Sequence, residues 1–431
     1  MSDVVFSVDA SADTVVGTLD YSERTPYRMV HNPAGNKLYL FCYERREVLV
    51  LDSAFGTTKH IRLGNTGHYA LPVLDQALNR IYAVGSYRFR VIDCNTDSVV
   101  AGRNTPGITL PIPVFVPYLN KLYVFDGAGR HDSVFAYDGL RDELYPILHQ
   151  TDTARYALYD PRSNRVFFAC RAAPAVRALD PLTDSVVKTF DFTGGSIHGR
   201  MALDLDLGRL YYTDRSPNRT NTLFTIDLLA DSVVASTNLP FCIDEMFLNR
   251  RLGKLYMCSQ DTARVLVYDC NKGVLLGTFE ADYLRTGLMN DRNDKLYLGY
   301  GEVVDCRYDA IVAVLPPDSL DPISMAWDAI DNRVFQAVKS RLYVYRDDLT
   351  GIADAPVGPQ KHRYATIVRG VLSLPGAECG TPETRSVLLD ICGRKVLDLS
   401  PGRNDVRMLP VGVYFIRQLV GSRTTKVVVQ R

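Results

Sequence analysis

The chain has 431 residues, with 49 Lys and Arg against 49 Asp and Glu, so its formal net charge is zero. A neutral chain offers no global field for nucleic acid or an anionic membrane. Hydrophobic residues make up 46%, ordinary for a globular protein, and no run of about 18 apolar residues reads as a membrane span.

Met1 to Phe6 carries neither a basic nor an apolar leader segment. The chain therefore reads either as a protein kept inside the cell or as one whose leader has been removed. Asp13-Thr14-Val15-Val16 follows, a strand opening that recurs as Asp97-Ser98-Val99-Val100, Asp184-Ser185-Val186-Val187 and Asp231-Ser232-Val233-Val234.

A second phrase then returns eight times: a turn residue, Lys or Arg, an aliphatic residue, and Tyr or Phe. The copies begin at Asn36, Asn79, Asn120, Asn164, Gly208, Gly253, Asp294 and Asn332, and their aromatics are 43, 41, 44, 44, 45, 41 and 38 residues apart. A period of about forty with short β-runs is the signature of a β-propeller.

One unit shows four strands. Ala154 to Tyr159 is an apolar run that ends at the turn Asp160-Pro161-Arg162-Ser163-Asn164. Arg165 to Cys170 follows, then Ala175 to Asp180, and Asp184 opens the fourth strand. The third-strand Asp recurs as Asp52, Asp93, Asp138, Asp227, Asp269 and Asp305. The last unit, Ile323 to Tyr345, has three strands. The early strand at Val15 has no partners before it, so it can complete that last blade and close the ring. Eight anchors predict eight four-stranded blades over 1–350, with seven as the alternative if the short final unit is not a blade. These repeats resemble the Tyr-Val-Thr-Asn family of propeller repeats, on Tyr211-Tyr212-Thr213-Asp214 and, more loosely, Tyr123-Val124-Phe125-Asp126. That resemblance implies a fold and no activity.

Residues 351–362 contain Pro and Gly and read as a linker. Residues 363–431 carry new β-runs, predicting a small antiparallel β-sandwich. Leu388-Leu389-Asp390-Ile391-Cys392-Gly393-Arg394-Lys395-Val396 is followed by Asn404-Asp405-Val406, by Leu409 to Phe415 and by Lys426 to Gln430. In order and spacing this segment resembles the C-terminal sorting domain of type IX secretion cargo. The resemblance implies export through that machinery to the cell surface or the medium. The competing reading is a β-module that caps the propeller.

Nine cysteines, without a Cys-x-x-Cys pair, read as mostly free thiols, with a Cys379–Cys392 pairing near the C-terminus as the minor alternative. Linear motifs for nucleotide, haem or zinc-protease chemistry are missing, so neither a cofactor nor a metal is expected. Asp204-Leu205-Asp206 reads as a strand edge entering a turn, and Asn218-Arg219-Thr220 matches a glycosylation sequon.

The channel mouth is the place to look for ligand chemistry. Eight or nine residues before each turn residue lie Tyr27, Arg28, Arg155, Tyr156, Arg200, Asp244, Glu245 and Arg285, with Tyr69 and His198 one residue further back. Arg suits carboxylate or phosphate and Tyr stacks on rings, so an anionic or carbohydrate ligand fits this set. The bland alternative is a ring of neutralising pairs around a wet channel. The sequence favours an exported, non-enzymatic binding module for an extracellular protein, peptide or glycan. A propeller hydrolase acting on a lactone or glycan, and an intracellular interaction scaffold, are the rivals.

Overall fold

The computed structural model describes residues 6–7, 15–20, 26–42, 46–53, 56–64, 71–128, 133–149, 154–170, 174–192, 199–214, 221–282, 284, 286–314, 322–328, 330, 332–338, 341–346, 366–369, 371–374, 386–389, 394–400, 402–410, 412–418 and 424–430. The linker 351–362, Asn218, Cys379, Cys392 and Asp13 lie outside them. Chain contacts divide the protein into Met1–Pro356 and Val357–Arg431.

The first unit is an eight-bladed propeller. Blades 1 to 7 are four-stranded antiparallel sheets over 26–62, 71–104, 111–149, 154–191, 200–239, 245–280 and 287–314. Blade 8 takes its three inner strands from Pro322–Asp328, Arg333–Val338 and Arg341–Arg346. Its fourth is Val15–Asp20, paired antiparallel from Val15 opposite Tyr345 to Asp20 opposite Arg341, with Phe6–Ser7 outside it. The inner strand of each blade touches that of the next, and Pro26–Asn32 touches Pro322–Asp328, so the ring is closed.

Local chemistry sets the turns. The turn residue of the repeated phrase is left-handed in every copy, with φ between 45° at Asn36 and 62° at Gly208. Asn, Asp and Gly tolerate that conformation and bulkier residues do not. Just upstream, Asp160 accepts the amides of Arg162 and Ser163 and the Ser163 hydroxyl. The third-strand Asp works likewise: Asp93 accepts the amides of Asn95 and Thr96, and Asp227 those of Leu229 and Ala230.

The rest of the phrase holds neighbouring blades together. Tyr39 of blade 1 is fully buried and donates to Asp97 of blade 2 at 2.6 Å, where Lys37 also binds at 2.6 Å. Lys121 and Tyr123 of blade 3 meet Asp184 of blade 4, which also accepts from Tyr145. Arg165 meets Asp231 at 2.9 Å, and Lys254 and Tyr256 meet Asp309. Each receiving Asp is itself left-handed, at φ 49° to 54°. The two sequence phrases are thus the halves of one inter-blade latch, about sixty residues apart in the chain.

Not every seam carries the latch: at the seam from blade 2 to blade 3, Tyr82 donates to Asp75 of its own blade and Asp142 accepts from Tyr137 of its own, and the seam from blade 5 to blade 6 lacks the Asp. Arg209 of blade 5 reaches the Cys270 carbonyl of blade 6 at 2.7 Å, but Gly273, φ 72°, stands where the Asp belongs. The Tyr211 hydroxyl is buried there with no hydrogen-bond partner. At the seam from blade 8 to blade 1 the receiving position is Gly56, and the aromatic is Phe335, which has no hydroxyl to leave unpaired.

Every fourth strand carries a bulge against its third strand, the extra residues being Val16, Thr58, Val100, Ile147, Val187, Val234, Leu276 and Val312. A bulged edge is a poor template for another strand.

The second unit pairs a five-stranded sheet with a two-stranded one formed by Val371–Leu374 and Gly402–Asp405. Leu372, Leu388, Leu399, Val406, Tyr414 and Ile416 form its core. The pairing departs from the expected antiparallel order at one place, where Thr366–Arg369 lies parallel to Thr424–Gln430.

Candidate functional site

The positions eight residues before each turn residue are equivalent in all blades: Arg28, Leu71, Ile112, Tyr156, Arg200, Glu245, Thr286 and Ser324. Each lies within the first three residues of an inner strand, or just precedes one, so together they form one tier at the entrance of the central channel. Three members from consecutive blades interlock. Glu245 receives Arg200 on Oε1 at 3.0 Å and the Tyr156 hydroxyl on Oε2 at 3.0 Å. The Arg200 guanidinium lies over the Tyr156 ring, 4.9 Å from its centroid, and its Nε donates to the Asp244 carbonyl. The Asp244 carboxylate accepts the Gln260 amide at 2.8 Å.

Burial pushes the Glu245 carboxyl above its ordinary range, against the pull of Arg200. Burial also raises the Tyr156 phenol, with the Glu245 charge adding to it. Arg28 extends from blade 1 into this field. Its side chain touches solvent, yet desolvation by the surrounding ring lowers its pKa, with Tyr27 and Glu245 opposing. A guanidinium in such a channel has water beside it and protein all around.

Of the residues expected at the mouth, the structure brings Tyr156, Arg200, Asp244 and Glu245 together, with Arg28 within their electrostatic reach. Tyr27 is a correction. The strand slips between Pro26 and Arg28, and Tyr27 turns into the core between blades 1 and 2, 6% exposed, against Tyr39 and Phe41. The backbone of Arg155 sits in the matching slip of blade 4, and its side chain lies outside the described residues, as do Tyr69, His198 and Arg285.

Leu71 and Ile112 complete the tier with an apolar arc, which a search for polar side chains passes over. Directly below, seven and six residues before the turns, every side chain is apolar, from Met29 and Val30 to Met325 and Ala326. A further acidic group was not anticipated at all. Glu302, 8% exposed, accepts the Asp282 amide at 2.9 Å, and burial pushes its carboxyl up to about 7, with Asp282 adding to the rise. Among the described residues no cluster of His, Cys, Asp and Glu could hold a metal ion.

No protein-family model matches the chain, and no curated protein does. Solved structures do. The chain is similar to the Dos1 propeller, with TM-score 0.62, 11% identity, and 78% of this chain and 95% of that one covered. It is similar to Saccharomyces cerevisiae Sqt1, with TM-score 0.63, 10% identity, and 78% and 99% covered. Kuenenia stuttgartiensis hydrazine synthase aligns with TM-score 0.51 and 13% identity over 64% of this chain. At such identities the likeness shows the propeller fold and nothing of function.

Proposed function

We propose that the chain is an exported β-propeller that binds, without chemistry, a ligand presenting a carboxylate, phosphate or acidic sugar at the channel mouth. The observation that carries this reading is the mouth tier itself. Two guanidinium groups, Arg28 and Arg200, stand at one level of a rigid ring, and Arg200 is fixed by Tyr156 and Glu245 before any ligand arrives. Preorganised Arg forks lose little freedom on pairing with an anion.

The export half rests on the sorting-domain resemblance of 388–430. In this reading the second unit is an address label handled by the secretion machinery, and the partner of the propeller is an extracellular protein, peptide or glycan. The test is fractionation of the native gene product in a host with the type IX system, with and without residues 363–431. Recovery outside the cell only with that segment supports export; an intact protein held inside overturns it and favours the scaffold.

A hydrolase is the second reading, favoured by the raised Glu245 carboxyl, which would suit a proton donor. Both Glu245 oxygens are engaged, which suits positioning better than proton transfer. A turnover of lactone or glycan abolished by Glu245→Gln would overturn the binding-only reading.

A further inference from the structure

The inner strands sit at the centre of a closed ring, yet they are half-buried along much of their length. Leu71, Val73, Leu158, Met246, Phe247 and Leu288 all keep part of their surface in solvent. Val73, Leu158, Met246, Phe247 and Leu288 pack against the apolar clusters between blades, so what they leave exposed faces the centre of the ring. The two levels below the mouth tier are wholly apolar, and the aspartates at the far ends of these strands, Asp75, Asp160, Asp204 and Asp328, are buried in their turns, where they accept backbone amides. A concave apolar wall with a few polar groups at one end is the usual anatomy of a small-molecule site. At the mouth tier Arg28 and Arg200 against Glu245 leave a formal charge of +1.

We propose that the channel takes a monomeric amphiphile, its carboxylate head at the Arg28–Arg200 tier and an unbranched apolar tail running down the shaft. This deepens the mouth reading and rests on it. The charges that reach solvent on these strands are at the mouth, and the far-end aspartates are buried and of the wrong sign for a carboxylate, so the ligand has one orientation, head at the mouth. From the tier of Leu71 down to Leu74 is three residues, roughly 10 Å of strand, or on the order of eight methylenes.

The experiment is calorimetric titration of the full chain with acetate, hexanoate, decanoate and decylammonium, each below its aggregation limit. The expected result is an affinity that rises about fourfold per methylene and levels off near decanoate. Arg28→Gln should weaken decanoate about tenfold and leave the chain-length slope intact. Leu158→Trp should flatten the series while acetate binding stays, with the melting temperature confirming the fold; Leu288→Phe serves if that variant does not fold. Acetate binding as tightly as decanoate would overturn the shaft and leave the mouth reading standing. Decylammonium binding as tightly as decanoate would overturn the head placement and the mouth reading with it. Failure of the long carboxylates while phosphate and acetate bind would sink the amphiphile alone, and failure of all anions would sink both.

Discussion

The incomplete latch between blades 5 and 6 can be repaired by one substitution, Gly273→Asp. The backbone is already in the conformation used by Asp97, Asp184, Asp231 and Asp309, φ 72° against 49° to 54°. A Cβ at Gly273 would meet nothing nearer than the Tyr268 hydroxyl, at 3.6 Å, an ordinary contact. The introduced carboxylate would accept from Tyr211, whose buried hydroxyl has no partner, and would face Arg209 as Asp231 faces Arg165. A hydrogen bond to a charged group is worth about 1.5–3 kcal/mol. Loss of the glycine's unfolded-state freedom adds about 0.4–1 kcal/mol, and the left-handed conformation costs about 1 kcal/mol for a residue with a Cβ. The net is about 1–3 kcal/mol of stabilisation, which in a chain of 431 residues raises the melting temperature by about 1–3 °C. The assay is thermal and urea unfolding of the full chain, in a double-mutant cycle with Tyr211→Phe. Tyr211→Phe alone should be close to neutral, and it should abolish most of the gain from Gly273→Asp. A gain that survives Tyr211→Phe, or a destabilised single variant, would refute the latch argument.

Two further perturbations test the same structure. Asp184→Ala removes the carboxylate shared by Lys121, Tyr123 and Tyr145 and leaves Lys121 and Tyr123 only the Pro181 carbonyl, so it should lower the urea midpoint by an amount equivalent to about 3 kcal/mol. The control Asp206→Ala breaks only an exposed pair with Arg162 at 3.8 Å and should stay within about 0.5 kcal/mol. Glu302 has a folded pKa of about 7 against an ordinary 4.5, so the folded state holds its proton more tightly. Its contribution is therefore fully present below pH 4.5 and is lost as pH rises through about 7, a difference on the order of 3 kcal/mol. Glu302→Gln keeps an oxygen for the Asp282 amide and should flatten stability between pH 5 and 8; an unchanged slope would show that Glu302 does not titrate there.

The ring was legible because its turns accept so few residues. A left-handed position before Lys or Arg admits Asn, Asp or Gly, and that restriction writes the period into the chain. Ring closure was legible too, since Val15 to Asp20 is a fourth strand without a blade of its own. The latch was not, although both halves were visible. The partners of Tyr39 and Tyr123 lie in the next blade, and no local pattern says which Asp a buried phenol will meet. At the mouth, counting back nine residues reached Asp244 beside Glu245, but in blades 1 and 4 it landed in a strand slip, which carries Tyr27 inward. The raised Glu302 carboxyl was illegible because the amide it accepts, that of Asp282, lies twenty residues back in the chain, and no local pattern marks the position as buried.

The strand at 15–20 also sets a clock on synthesis. It is made before its partner Arg341–Arg346, which follows about 320 residues later, on the order of half a minute at ordinary elongation rates. For that interval seven blades can assemble while the strand that fastens the circle stays unpaired. The last blade then presents three strands to a segment already waiting beside the first blade, so joining the ends costs no long search. Any leader that tethered Val15–Asp20 elsewhere would delay that step and keep the ring open until the tether was cut.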